Sequence, residues 1–306
     1  MELSIMKKTI LYALLFAVCS LPLASCSDDD PNSTSVIVPE QQEKTIFDKW
    51  LDANFVEPYN IQFKYRYESN ESDMDYYTVP ANFDNAVVMA HMLKYLCIEA
   101  YDETAGVDFT RAHFPKLFFC MGEFEYRNNG TMILGTAENG KKILLAGANH
   151  VSEYIDNPEM LNELYFKTIH HEFTHILNQT IEYPTNFKFI TATDYVGDSW
   201  SAEPFSEASY FAAHGFISAY SQNSDTEDFA EMLSIYVVND KATWDAMVAR
   251  GGEEGAALIN SKLDIVRAYM QTKWNVDIDQ LRDAIQRRQA DVISGKISLT
   301  DLTVKK

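Results

Sequence analysis

Hydrophobic and polar positions alternate strictly from residue 59 to residue 67. Tyr59, Ile61, Phe63, Tyr65 and Tyr67 are separated by Asn60, Gln62, Lys64 and Arg66, and a period of two predicts a half-buried strand. Just before it, residues 45–55 carry Ile46, Trp50 and Leu51 on one side and predict a short amphipathic helix. Residues 83–101, with Val87, Val88, Met92, Leu96 and Ile98, predict a strongly apolar helix. Three strand-like runs follow, Lys116 to Tyr126, Thr131 to Ala137 and Lys141 to Ala148, separated by Asn129-Gly130 and Asn139-Gly140. Asn-Gly tolerates positive φ at both positions, so these pairs predict hairpin turns and an antiparallel meander. Asp156-Asn157-Pro158 then reads as a helix start, a capping side chain followed by Pro in the first turn. Leu161, Leu164, Tyr165, Ile169, Phe173 and Ile176 continue it at helical spacing. From about residue 205 the chain reads as helices. Asp277 with Gln280 makes a box-like start for the last one, and residues 296–306 read as a polar tail. The fold class expected is α+β, a small antiparallel sheet followed by a mostly helical C-terminal half.

The capped helix carries His171-Glu172-Phe173-Thr174-His175. Residues four apart share a helix face, so His171 and His175 can present two imidazoles to one Zn²⁺. Glu172 stands where a carboxylate can take a proton from a water on that metal. His170 points about 100° away and has no partner at metal spacing, so it reads as structural.

Composition sharpens the picture in two ways. The chain has 306 residues, 46% of them hydrophobic, enough for a sizeable core in one large domain or two closely packed lobes. Its formal charge is −20, which repels phosphate backbones and argues against nucleic-acid partners. The N-terminus reads as a targeting segment: Lys7 and Lys8, an apolar run from Ile10 to Val18, then Leu23-Ala24-Ser25-Cys26. That tetrapeptide resembles a bacterial lipobox, which implies a signal peptide over 1–25 and lipid on Cys26. Asp28-Asp29-Asp30 resembles the surface-export signal of Bacteroidota lipoproteins. Residues 26–43, polar with Pro31 and Pro39, read as a tether to a folded domain over 44–306. An exported location permits a Cys97–Cys120 disulfide, and two buried thiols fit equally well.

A catalytic zinc site takes a third protein ligand and leaves one position for water. The outstanding candidate segment runs from Tyr220 through Glu227-Asp228-Phe229-Ala230-Glu231. A carboxylate at 227 adds negative charge to two neutral imidazoles. Glu231, one turn later, is placed to accept the free N–H of a ligating histidine and fix its tautomer. A phenol near the metal can donate to a developing oxyanion without titrating at neutral pH. Glu207, about 32 residues after His175, and His214 are the other candidates. The chain continues Ile176-Leu177-Asn178-Gln179 after the motif, so the metzincin pattern is absent.

Here the sequence resembles the gluzincins, zinc peptidases with a glutamate third ligand, and within them the anthrax lethal factor type, whose second motif has the form Tyr-x₆-Glu-x-Phe-Ala-Glu. The resemblance implies a zincin-like fold, Glu227 as third ligand, Glu231 as a supporting carboxylate and Tyr220 as the oxyanion donor. Lipobox, acidic tether and both motifs together resemble the zinc-binding metallopeptidase lipoproteins of the Bacteroidota, the substrate-import-associated zinc metallohydrolases. That resemblance covers most of residues 26–300. It implies a Zn²⁺ metallopeptidase lipid-anchored to the outer membrane and exposed at the cell surface. It also implies a peptide or protein substrate and a TonB-dependent transporter, with its substrate-binding lipoprotein, as partners. The alternative is a non-catalytic peptide- or glycan-binding accessory lipoprotein of such an import complex. Residues 181–204, with Tyr183, Phe187, Tyr195 and Trp200, fit either a substrate-binding wall or a packed loop.

Overall fold

The computed structural model describes residues 43–68, 79–126, 132–133, 137–138 and 142–304. The expected leader, Cys26, the tether up to residue 42, and the turns at Asn129-Gly130 and Asn139-Gly140 lie outside the described residues. Lys44–Lys306 form one compact unit.

Helix α1 (Ile46–Leu51) begins at a capping box between Thr45 and Asp48. It buries Phe47, Trp50 and Leu51, while Ile46 is exposed. Trp50 and Leu51 are inside as expected, and Phe47, packed on Tyr65 and Phe83, takes the place expected of Ile46. A π-helical turn (Asp52–Val56) leads through α2 (Glu57–Tyr59) to β1 (Gln62–Lys64). The expected alternation persists in burial, with Ile61, Phe63 and Tyr65 inside, although the strand is only three residues long and Tyr67 is exposed. The apolar helix runs as α3 (Phe83–Met92), a π-helical turn (Leu93–Ile98) and α4 (Glu99–Ala105). Asn82 caps it by accepting from the Asn85 N–H. Helix α5 (Val107–His113) follows.

The strands are β2 (Leu117–Cys120), β3 (Glu125–Tyr126), β4 (Met132–Ile133), β5 (Ala137–Glu138) and β6 (Lys142–Leu145). The main sheet has the order β1-β2-β6-β5, and β3 pairs with β4 separately. The three strands β1, β2 and β6 run parallel, with Phe63, Phe118 and Ile143 in register; β5–β6 and β3–β4 are antiparallel. The expected antiparallel meander thus holds only at the margins. The reason lies in the strands themselves: β6 is buried throughout and β2 nearly so. A strand covered on both faces reads as a continuous apolar run and pairs through a long crossover rather than a hairpin.

Helix α6 (Pro158–Leu161), a π-helical turn (Asn162–Phe166) and α7 (Lys167–Thr180) form one helical run, with Asn157 capping it at the Met160 N–H. After α8 (Asn186–Phe189) and α9 (Ala208–Ala213) come α10 (Asp225–Val238), α11 (Lys241–Ala249), α12 (Gly252–Trp274) and α13 (Ile278–Ile293). All eleven residues from Asp228 to Val238 are buried, as expected of a helix enclosed on every side. Helices α7, α12 and α13 pack around α10. The last segment is not a free tail: Leu299 is buried and the Asp301 carbonyl lies 3.0 Å from His91 Nε2. Cys97 and Cys120 are free, buried thiols. Among the described residues no helix is long and apolar enough to cross a membrane.

Candidate metal centre

Helix α7 presents His171 and His175 from one face, one turn apart. Helix α10 brings its first turn against them. That turn is set by Ser224, whose hydroxyl accepts from the Glu227 N–H, and it concentrates Asp225, Glu227 and Asp228 where the helix dipole favours carboxylates. His171 Nε2 lies 2.9 Å from Glu227 Oε2, His175 Nε2 lies 3.2 Å from the same oxygen, and the two Nε2 atoms are 3.0 Å apart. Three electron-pair donors facing one another this closely repel unless a proton or cation lies among them. Their spacing is close to that of tetrahedral donors about 2 Å from a shared zinc ion. The donor set therefore fits zinc. It is the only such cluster of His, Cys, Asp and Glu among the described residues.

Glu231 supports this triangle from behind. Its Oε1 lies 2.8 Å from His171 Nδ1, so His171 donates there and keeps Nε2 for a metal. The Ser218 hydroxyl donates to Glu231 Oε2 at 2.7 Å, and the Lys167 ammonium lies 3.3 Å from Oε1. Burial pushes the Glu231 carboxyl up, but Lys167 and the His171 hydrogen bond outweigh it and hold it at about 2. Burial pushes the His171 imidazole down, but hydrogen bonds to Glu227 and Glu231 overcome this and lift it to about 9 in the metal-free protein. Burial also raises the Glu227 carboxyl, and the two histidines more than reverse it, holding the group well below the usual carboxylate range.

Glu172 is half-buried on the adjacent face and makes no hydrogen bond or ion pair among the described residues. Tyr220 opens a 3₁₀ turn (Tyr220–Gln222) and its ring lies 5.9 Å from the His171 ring. Trp200 meets Tyr220 edge-on at 5.1 Å. Within the 181–204 segment Tyr183 and Tyr195 are tied to α10: Tyr183 stacks on Phe229 and bonds Asp225, and the Tyr195 hydroxyl donates to Asp228 at 3.0 Å. Tyr183 and Tyr195 thus form a strap on α10, and Trp200 is the residue of that stretch beside Tyr220.

The other candidates stand apart. Glu207 is exposed at the start of α9. His214 is tied to the Tyr210 carbonyl at 2.7 Å and stacks on its ring. His170 is fully buried against Tyr101, and desolvation lowers its pKa to about 3. Two residues around Glu231 escaped the sequence reading. Lys167 had a signal, standing four residues before His171 on the same helix face; Ser218 had none, because it reaches Glu231 from an irregular loop.

Residues 40–279 match the family described as "Putative zinc-binding metallo-peptidase". The chain is similar in structure to a protein from Bacteroides caccae ATCC 43185, whose crystal structure is titled as that of a putative zinc-binding metallo-peptidase. The TM-score is 0.73 at 38% sequence identity, over 86% of this chain and 98% of that one. No curated protein matches the chain.

Proposed function

We propose a hydrolytic function on a plain premise: the chain belongs to the family described as putative zinc-binding metallo-peptidase. Our reading is a zinc-dependent peptidase of the glutamate-ligand type, with His171, His175 and Glu227 as the metal ligands. The carrying observation is that donors 52 residues apart in sequence, His175 and Glu227, meet at 3.2 Å, with the Glu172 carboxylate acting electrostatically on the neighbouring His171 and in no hydrogen bond or ion pair among the described residues. A closed structural site supplies four protein donors. Three converge here among the described residues, which suits a hydrolytic site.

When bound, zinc supplies Lewis acidity, lowering the pKa of a water to about 7 and polarising the scissile carbonyl. The side chains do the rest. Glu172 accepts a proton from the attacking water and delivers it to the leaving amine. The Tyr220 phenol donates to the oxyanion that develops on the carbonyl. Glu231 holds His171 in one tautomer. Strand β5 is an outer strand of the sheet among the described residues and lies against α7, so its edge suits an extended peptide that adds a strand. The lipobox at Cys26 and the following aspartates support anchoring at the outer membrane, exposed at the cell surface. A TonB-dependent importer is the partner this location favours.

The test is cleavage of a peptide library by the zinc-loaded wild type beside Glu172→Ala. The variant is expected to keep its zinc and lose activity by about a thousandfold. Retained turnover in the variant rules out the mechanism. Incorporation of labelled fatty acid that persists in Cys26→Ala rules out the anchor.

A further inference from the structure

Behind the metal ligands lies a second charged cluster that the hydrolytic chemistry does not use. Lys262 on α12 and Asp228 on α10 are both fully buried, and the Lys262 ammonium donates to Asp228 Oδ2 at 2.6 Å. Its second hydrogen bond goes to the Gly215 carbonyl at 2.9 Å, and it lies 4.0 Å from the centre of the Phe216 ring. Asp228 Oδ2 also accepts from Tyr195, as above. The ammonium thus joins α10, at the residue next to Glu227, to the loop from Gly215 that leads to Ser218 and Tyr220, and Asp228 ties in the strap that carries Trp200.

The surroundings are built for this contact. Gly255, Leu258 and Lys262 follow one face of α12. A Cβ at Gly255 would lie 2.2 Å from the Ala212 carbonyl oxygen, and one at Gly215 would lie 2.6 Å from Leu258. Gly215 also has φ +83°, which favours glycine. The loop is therefore seated directly on α12, with Lys262 at the end of the seat. Stability alone does not account for the pair. Oδ1 of Asp228 is buried without a hydrogen bond among the described residues, which is costly, and a buried ion pair adds little over an apolar replacement of equal volume.

We propose that Lys262 is a positioning residue of the metal centre. By holding Gly215 and Asp228 on one ammonium, it fixes the loop bearing Ser218 and Tyr220 against the helix turn bearing Glu227. This rests on the zinc-peptidase reading above. The test compares wild type with Lys262→Met/Asp228→Asn, in which the charges leave together and Asn keeps an acceptor for Tyr195. The measurements are zinc affinity by chelator competition, kcat and KM on a cleaved peptide, and the melting temperature. The double variant is expected to melt as a folded protein, bind zinc about tenfold more weakly and lose kcat with KM unchanged. A change in melting temperature alone, with zinc affinity and kcat at wild-type values, overturns the proposal. Asp228→Asn alone keeps Lys262 and an acceptor for Tyr195 but replaces the ion pair by a neutral hydrogen bond, and it decides the matter if the double variant does not fold. Its zinc affinity is expected to fall about threefold, and an unchanged value overturns the proposal. A wild type that binds no zinc overturns the peptidase reading as well, so the two failures are distinct.

Discussion

His170 and His171 are neighbours on α7, yet they belong to two different regions of the molecule. His170 faces the aromatic core, where its Nδ1 lies 3.2 Å from the Tyr101 hydroxyl and its Nε2 is buried without a partner among the described residues. Desolvation keeps it neutral, with a pKa of about 3. His171 faces α10 and lies between two carboxylates, which outweigh the same desolvation and lift it to about 9. Burial is common to both residues, so it does not distinguish a core histidine from one placed among other metal-capable donors. The distinction comes from what the opposing helix presents.

Several substitutions break or sharpen this contrast. The largest effect is expected from His171→Ala, which removes one ligand's share of the binding free energy. Zinc affinity should fall on the order of a thousandfold, as read by chelator competition. Next is Glu231→Gln, which keeps the shape but weakens the acceptor at His171 Nδ1. Affinity should drop by about ten- to a hundredfold, and a wild-type affinity would show that Glu231 is only structural. His170→Asn keeps an acceptor for Tyr101 and loses ring packing. It should cost about 1–2 kcal/mol in a denaturant titration and leave zinc binding unchanged.

The smallest effect concerns a third histidine. His150 lies 2.9 Å from Glu123 and 3.3 Å from Glu153. The Glu123 hydrogen bond raises its pKa against a smaller desolvation. A raised folded-state pKa stabilises the fold below the ordinary histidine value of about 6.5 and stops doing so as pH rises through the raised value. The melting-temperature difference between wild type and His150→Gln should be greatest at acidic pH and vanish at alkaline pH. A difference that grows with pH would contradict this.

The same contrast shows what the sequence carried. The helix period placed His171 and His175 on one face and His170 on another, and Asn157-Pro158 located the start of the run. The spacing from Tyr220 to Glu227 and Glu231 picked out residues that do gather at His171. Non-local pairing was not legible. The parallel alignment of β1, β2 and β6 depends on crossovers, and two Asn-Gly pairs pointed instead to hairpins. Lys262 lies 34 residues beyond Asp228, and nothing at either position marks a fully buried ion pair. Ile46 has the side chain of a core residue, but Phe47 fills that side of the helix.

The most direct test of the central claim is zinc content, measured by elemental analysis on purified wild type, His171→Ala, Glu227→Ala and His170→Asn. A His171–His175–Glu227 centre predicts about one zinc per chain in wild type and His170→Asn and almost none in the other two. Zinc retained in His171→Ala and Glu227→Ala, or lost in His170→Asn, would contradict it.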